Sequence, residues 1–219
     1  MKNKRIVITA LGLLIVPILI FYIFNAGKQT YNSLPYLGER VAPDGEAIKD
    51  TVYYSIPPFK LVDQNGDTLT NSNFDGSIYI ANFFFASCKD ICPKMNAKVE
   101  TIVSKLAEYP QVKFISHTVD PENDSAAVLA QYATKFKAKA GIWYFVTGSK
   151  DDIFKAGQGY LLPVSIEDKT IDHSQQLILV DQNRHIRGIY DGLDDKDIRR
   201  IKEDIKVLLY DELKAKHAQ

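Results

Sequence analysis

Residues 6–24 of this 219-residue chain carry no charge, and all of them are hydrophobic except Thr9, Gly12 and Pro17. Nineteen helical residues rise about 28 Å, close to the roughly 30 Å hydrocarbon thickness of a bilayer. Pro17 is compatible with such a span if it only kinks the helix, and Tyr22 sits near the outer end, where an amphipathic ring favours the interface. Lys2, Lys4 and Arg5 are the only charges before residue 25, so the N-terminus is expected to stay inside and the remainder to be exported. A cleaved signal peptide fits less well. The apolar region is long for one, Asn25-Ala26-Gly27 is a poor cleavage site, and no cysteine lies nearby for lipidation. Residues 1–27 are therefore read as an uncleaved, single-pass membrane anchor.

The anchor changes the meaning of the charge balance. The chain has 27 basic and 27 acidic residues; beyond residue 24 the numbers are 24 and 27. A mildly acidic exported part disfavours a nucleic-acid binder that works through a basic surface. Two cysteines exclude a disulfide-dense scaffold, and an ordinary hydrophobic content excludes intrinsic disorder. Residues 28–51 are polar with scattered Gly and Pro and read as a tether, leaving 52–219 as one domain with a full core.

Within that domain, Phe59–Val62 and Thr68–Thr70 flank Asn65-Gly66, a hairpin signal because both turn residues accept positive φ. Ile78–Phe85 is nearly all apolar, as a central strand buried on both faces requires. Met95, Val99, Ile102, Val103 and Leu106 recur at helical spacing, Val112–Val119 reads as the next strand, Ser125–Lys137 as a helix and Ile142–Val146 as a strand. Leu177–Val180 and Ile186–Tyr190 flank a second hairpin turn at 181–184, and Asp194–Leu213 is an amphipathic closing helix. The stretch around Pro163 reads as irregular. A hairpin, a βαβ unit and a closing helix predict an α/β chain of thioredoxin-like fold, a mixed central sheet flanked by helices, preceded by the transmembrane helix.

Both cysteines fall in Ser87-Cys88-Lys89-Asp90-Ile91-Cys92-Pro93, just after the central strand, where ligand sites collect in α/β sheets. Cys92 and Pro93 begin the next helix, whose free N–H groups and dipole are expected to bias both sulfurs toward thiolate. A plain stabilising disulfide is the bland alternative, but so short a loop would contribute little stability. Of four histidines, His217 lies in a polar tail and His185 in a turn facing water. His117 alternates along a strand as a histidine with a satisfied hydrogen bond. His173, in Ile171-Asp172-His173-Ser174 ahead of a strand, is on a loop that can fold over the start of the cysteine helix. Asp124 reads as the N-cap of the helix that follows it. Trp143 and Phe83–Phe85 read as core, and Tyr190-Asp191-Gly192 as a turn.

FFFASCKDICPKM (83–95), TVDPENDS (118–125), GIWYFVTGS (141–149), DHSQQLILVD (172–181) and IRGIYDG (186–192) together resemble the SCO/SenC family of copper chaperones for cytochrome c oxidase assembly. The similarity runs over roughly residues 53–213. The resemblance implies that Cys88, Cys92 and His173 are the copper ligands. Lys89-Asp90 departs from the Pro-Thr common between the cysteines, and Asn123 stands where an arginine often follows; neither change removes a ligand. Two thiolates and an imidazole form a soft set suited to Cu(I). Cu(II) would need a further ligand, and Zn(II) with a water is an alternative occupant. Asp172 is a candidate to orient His173, or else a turn cap.

The expected function is a membrane-anchored metallochaperone that delivers copper to the binuclear copper centre of a respiratory oxidase. The alternative is a thiol–disulfide oxidoreductase, with Cys88 and Cys92 redox-active, that reduces the cysteines of that centre; a peroxidase or a copper or redox sensor on the same fold ranks below both. Expected partners are the copper-site subunit of the oxidase, other copper chaperones or thiol–disulfide reductases, and the membrane, with no nucleic acid. The short segment ahead of the anchor lacks the features of a mitochondrial presequence, so the expected location is a bacterial inner membrane with the C-terminal domain in the periplasm or outside.

Overall fold

The computed structural model describes residues 4, 13–21, 33–38, 53–106, 108–165, 170–171 and 175–217. Residues 13–21, inside the expected anchor, are helical and exposed (α1); the rest of residues 6–24 lie outside the described residues. Among the described residues no helix is long and apolar enough to cross a membrane.

The body of the chain is a mixed sheet flanked by helices, the architecture expected from the sequence. Strands β1 (Lys60–Asp63), β2 (Thr68–Thr70), β3 (Ile78–Phe84), β4 (Val112–Thr118), β5 (Trp143–Thr147), β8 (Gln176–Val180) and β9 (Ile186–Asp191) form one sheet in the order β2-β1-β5-β4-β3-β8-β9. The β3-β4 and β4-β5 pairs are parallel, and the hairpins β1-β2 and β8-β9 attach antiparallel at the two sides. The first hairpin turns at Gly66 with φ +86°, while the Asp63 carboxylate accepts the N–H groups of Asn65 and Asp67 across the turn. All seven residues of β3 are buried, which makes it the strand on which both cores meet.

Helices α2 (Ile91–Leu106), α3 (Ala126–Lys135) and α5 (Asp195–His217) cover one face. Their apolar stripes, such as Met95, Val99, Ile102 and Leu106 on α2, pack on Ile80, Phe84 and Phe114 of the sheet. The closing helix runs four residues past its expected end, so His217 ends a helix rather than lying in a free tail.

The opposite face is covered by α4 (Lys150–Gly159) and the two-residue strands β6 (Val164–Ser165) and β7 (Thr170–Ile171), where the sequence suggested only an irregular stretch. Ser149 caps α4, its hydroxyl accepting from the Asp152 N–H at 3.1 Å. The contact face of α4 carries Ile153 and Ala156 and is completed by two glycines. A Cβ on Gly157 would come within 2.6 Å of Ile171, and one on Gly159 within 2.9 Å of Pro57. The glycines allow close approach but lower the helix propensity of the segment.

Residues 33–38, within the expected tether, lie against β9. Leu37 forms a bridge with Ile186, and the buried Arg187 donates to the carbonyls of Pro35 and Leu34 and to Asp181 at 2.8 Å, with Tyr36 stacked on its guanidinium. Residues 39–52 lie outside the described residues.

Candidate functional site

β3 ends at Phe84, and a turn at Ala86-Ser87 leads through Cys88 into α2, so both cysteines occupy the strand-to-helix junction as expected. The sulfurs are not bonded to each other. The Cys92 N–H, one of the donors that the first turn of a helix leaves free, points at Cys88 Sγ at 3.4 Å. Pro93 follows within that turn, where its missing N–H costs nothing.

The two thiols differ in environment. Partial burial works to raise the Cys88 thiol, but the N–H groups of Cys92, Asp90 and Ile91 and the Cys92 thiol outweigh it, and the net direction is down. Cys92 is 2% exposed and packs in the core beside Met95 and Val99. Burial dominates there, and together with the neighbouring Cys88 it pushes the Cys92 thiol up to about 12. The expectation that both sulfurs lean toward thiolate therefore holds only for Cys88. A helix N-terminus lowers a thiol that faces the free N–H groups; Cys92 is turned inward, away from water.

Asp124 does not cap α3. That role falls to Ser125, whose hydroxyl accepts the Val128 N–H at 3.4 Å. Asp124 is buried, and its Oδ2 accepts the Ala86 N–H at 2.9 Å and the Thr118 hydroxyl at 2.5 Å. It thus ties the start of the cysteine loop to the end of β4. The sequence held a signal for this, an Asp followed directly by a Ser that caps equally well and leaves the carboxylate free for another partner. Replacing Asp124 with Ala leaves two buried donors unpaired and should cost about 2–4 kcal/mol, read as a lowered urea midpoint; an unchanged midpoint would show that the bridge carries no weight.

A line of buried polar side chains runs under the junction. The Trp143 indole N–H donates to Ser116 Oγ at 2.9 Å, and the Ser116 hydroxyl to Asn82 Oδ1 at 2.6 Å. Asn82 Nδ2 donates to Asn96 Oδ1 at 2.9 Å, and Asn96 Nδ2 to the Tyr132 hydroxyl at 3.2 Å. Asn96 belongs to α2, so the helix that carries the cysteines is bonded to β3, β4, β5 and α3 through polar atoms inside an apolar core. Trp143 and Asn82 are core residues, but polar ones with specified partners.

The other expected residues are placed as follows. His117 on β4 is fully buried, stacked on Phe83 with centroids 4.6 Å apart and edge-on to Tyr160. Neither ring nitrogen has a partner at full hydrogen-bond geometry among the described residues, so the satisfied histidine expected is at best weakly satisfied by the Asn82 backbone beside it. Burial lowers its pKa to about 3, and the Asn82 backbone opposes that shift in part. His185 is half-buried rather than facing water; its Nδ1 contacts the Tyr54 carbonyl at 2.8 Å, and its ring meets the edges of Tyr36 and Tyr53. Asp172 and His173 lie outside the described residues. Among the described residues no third His, Cys, Asp or Glu joins the two cysteines in a metal-sized group. Gln175, two residues beyond His173, is described and is bonded to the turn that follows β9. Two soft sulfurs at 88 and 92 suit a thiophilic ion such as Cu(I).

A sequence model of the SCO1/SenC family matches residues 50–209. The chain is 31% identical over 168 residues to the SCO1 protein homolog of Bacillus subtilis strain 168, covering 74% of this chain and 86% of that one. Among solved structures, it resembles BsSco, a member of the Sco family of cytochrome c oxidase assembly proteins in which a disulfide switch was identified. The TM-score is 0.62 at 28% identity, covering 74% of this chain and 98% of that one. It also resembles yeast Sco1 with copper bound, with a TM-score of 0.56 at 27% identity, covering 68% and 87% of the two chains.

Proposed function

From the chain's membership of the SCO1/SenC family we propose that it is a membrane-anchored copper chaperone that serves assembly of the binuclear copper centre of a respiratory oxidase. Copper is its cargo, and Cys88, Cys92 and His173 are the proposed ligands. The observation that carries this reading is the pair of unbridged cysteines at the strand-to-helix junction, one half-exposed and one buried, on a fold shared with a copper-bound relative. Cys88 can reach a partner's ligands, while Cys92 holds the ion from the core side. Cu(I) suits two sulfurs and an imidazole, and Cu(II) would call for a further oxygen ligand. The copper-site subunit of the oxidase and other copper chaperones or thiol reductases are the proposed partners.

The anchor is part of the same reading. Residues 6–24 are long and apolar enough to span a bilayer as a helix, and the three N-terminal basic residues favour an inside N-terminus. Residues 1–27 would then be the anchor, 28–51 the connection and 52–219 the copper-binding domain, exposed in the periplasm or outside a bacterial inner membrane.

The thiol asymmetry favours a second activity at the same site. As a thiolate, Cys88 would attack a partner disulfide, forming a mixed disulfide and releasing one partner thiolate. Cys92, on losing its proton, would then attack the Cys88 sulfur, closing the Cys88–Cys92 disulfide and releasing the second partner thiolate. Two electrons pass to the partner, which leaves with both cysteines reduced and ready for metal.

The deciding experiment is anaerobic Cu(I) binding to the reduced full-length chain in competition with a chelator. His173→Ala should weaken binding by more than about tenfold. Unchanged affinity in that variant, together with turnover in a disulfide-reductase assay, would remove the chaperone reading in favour of the reductase.

A further inference from the structure

Beyond residue 24 acidic residues outnumber basic ones, 27 against 24, yet one face of the domain reverses that sign. On α2, Lys94, Lys98 and Lys105 recur at helical spacing beside the buried row of Met95, Val99 and Ile102. On α5, Arg199, Lys202 and Lys206 recur in the same way beside Ile198, Ile201 and Ile205. The two rows lie side by side. Lys98 is bonded across the helices to Asp195, and Lys202 feels the charges of Lys105, Arg199 and Lys98 together.

Acidic neighbours offset only part of this charge. Lys94 pairs with Asp90 at 2.5 Å, Lys206 with Glu203 at 2.9 Å, and Lys98 takes Asp195. Among the described residues Lys105, Arg199 and Lys202 have no ion-pair partner. Burial, with the three like charges around it, holds Lys202 below the ordinary lysine value. Cations held this close repel one another, and an opposite charge brought against them relieves the repulsion.

The position of the rows says what that opposite charge belongs to. From Lys94 to Lys105 the α2 row extends about 16 Å, and it begins two residues after Cys92, in the first turn of the cysteine helix. The exposed Lys89 lies between the cysteines themselves. Whatever covers this face therefore reaches the cysteine junction at one end. A carboxylate-rich polypeptide can carry a disulfide or a metal site to Cys88; a surface of anionic lipid headgroups carries neither.

We infer that the α2–α5 face is the docking surface for an acidic segment of the partner whose cysteines meet Cys88. The inference rests on the exchange with a partner proposed above, and it adds the sign of that partner's charge. Such a face acts chiefly on encounter. Charge complementarity raises association rates by about 10–1,000-fold, and the gain fades as the screening length contracts from about 30 Å at 10 mM salt to about 3 Å at 1 M.

The test uses the reduced full-length chain in neutral detergent and two synthetic peptides, each closed by one disulfide, one flanked by glutamates and the other by glutamines. As Cys88 and Cys92 close their own disulfide they pass two electrons to the peptide, and acid-quenched single-turnover rates are divided by the rates for dithiothreitol to remove each peptide's own reactivity. At about 10 mM salt the glutamate peptide should react about tenfold faster or more, and at about 1 M the two should agree within about twofold. The combined variant Lys105→Gln, Arg199→Gln, Lys202→Gln should lose most of the low-salt preference while Cys88 keeps its iodoacetamide rate. Equal rates in the wild type at low salt, or a full preference in the variant, overturn the docking surface and leave the exchange reading in place. Should neither peptide be reduced, the reductase reading falls. The reduced peptides are then compared as acceptors of Cu(I) from the loaded protein, and absence of the same preference there overturns the docking surface as well. Protection of Lys105 and Lys202 from acetylation in phosphatidylglycerol nanodiscs but not in phosphatidylcholine ones, without any peptide preference, would assign the face to lipid instead.

Discussion

Iodoacetamide at pH 8 should alkylate Cys88 at least about tenfold faster than Cys92 in the reduced, metal-free protein. The N–H groups of the helix start hold the Cys88 thiol below its ordinary value, while burial pushes Cys92 up to about 12, so Cys88 holds far more thiolate at pH 8. The more basic thiolate is the better nucleophile once formed, which returns part of that difference. The 2% exposure of Cys92 then widens the gap again, because the reagent must reach the sulfur. Peptide mapping after timed quenching measures the ratio directly. Comparable rates at the two positions would mean that the inward turn of Cys92 is not present in solution. They would also remove the ordered attack, Cys88 first and Cys92 second, from the reductase reading.

Replacing His117 with Phe should stabilise the protein, and the gain should grow as the pH falls. His117 is fully buried, with neither ring nitrogen in a well-formed hydrogen bond among the described residues, so one N–H is desolvated with only the Asn82 backbone to offset it even when the ring is neutral. Removing it should be worth about 1–2 kcal/mol at pH 8. The sign of the pH term follows from the depressed pKa. The folded state holds His117 neutral down to about pH 3, whereas the unfolded chain protonates near 6.5. Stability is therefore complete above pH 6.5 and is lost progressively as the pH falls from 6.5 toward 3. At pH 5 the loss amounts to about 2 kcal/mol. Phe lacks this term and stacks on Phe83 in the same place, so the variant's advantage should be about 2 kcal/mol larger at pH 5 than at pH 8. Denaturant unfolding of both proteins at the two pH values reads the difference. An advantage that does not change with pH would rule out a neutral, excluded imidazole.

The site's position was legible because it depends on local signals: the apolar run of β3, the proline after Cys92, and the helical spacing that begins at Met95. Its chemistry was only half legible. A helix start predicts free N–H groups, but which sulfur faces them depends on how α2 rolls against the sheet, and Met95, Val99 and Ile102 set that roll through contacts distant in sequence. Asp124 was misread for a related reason. Adjacent Asp and Ser compete for one cap, and the winner is decided by the Ala86 N–H arriving from another strand. α4 escaped notice because Gly157 and Gly159, which a close approach requires, are poor helix formers and weaken the signal of a face that Ile153 and Ala156 otherwise carry. Arg187 on the edge strand β9 is buried against Asp181, two carbonyls and Tyr36, an arrangement that no local pattern in the sequence announces.

The buried polar line under the cysteine junction begins at Trp143, the chain's one tryptophan, which has no exposed surface. In optical terms the protein therefore carries a single indole emitter, excited apart from its 12 tyrosines at long wavelength, with its N–H committed to Ser116. Every photon of tryptophan fluorescence comes from the core between β5 and α3, and none from the surface. Exposure of that ring to water on unfolding shifts the emission to longer wavelength. The unfolding transitions invoked for Asp124 and His117 can thus be followed in the unlabelled protein, with a signal that belongs to one place in the fold.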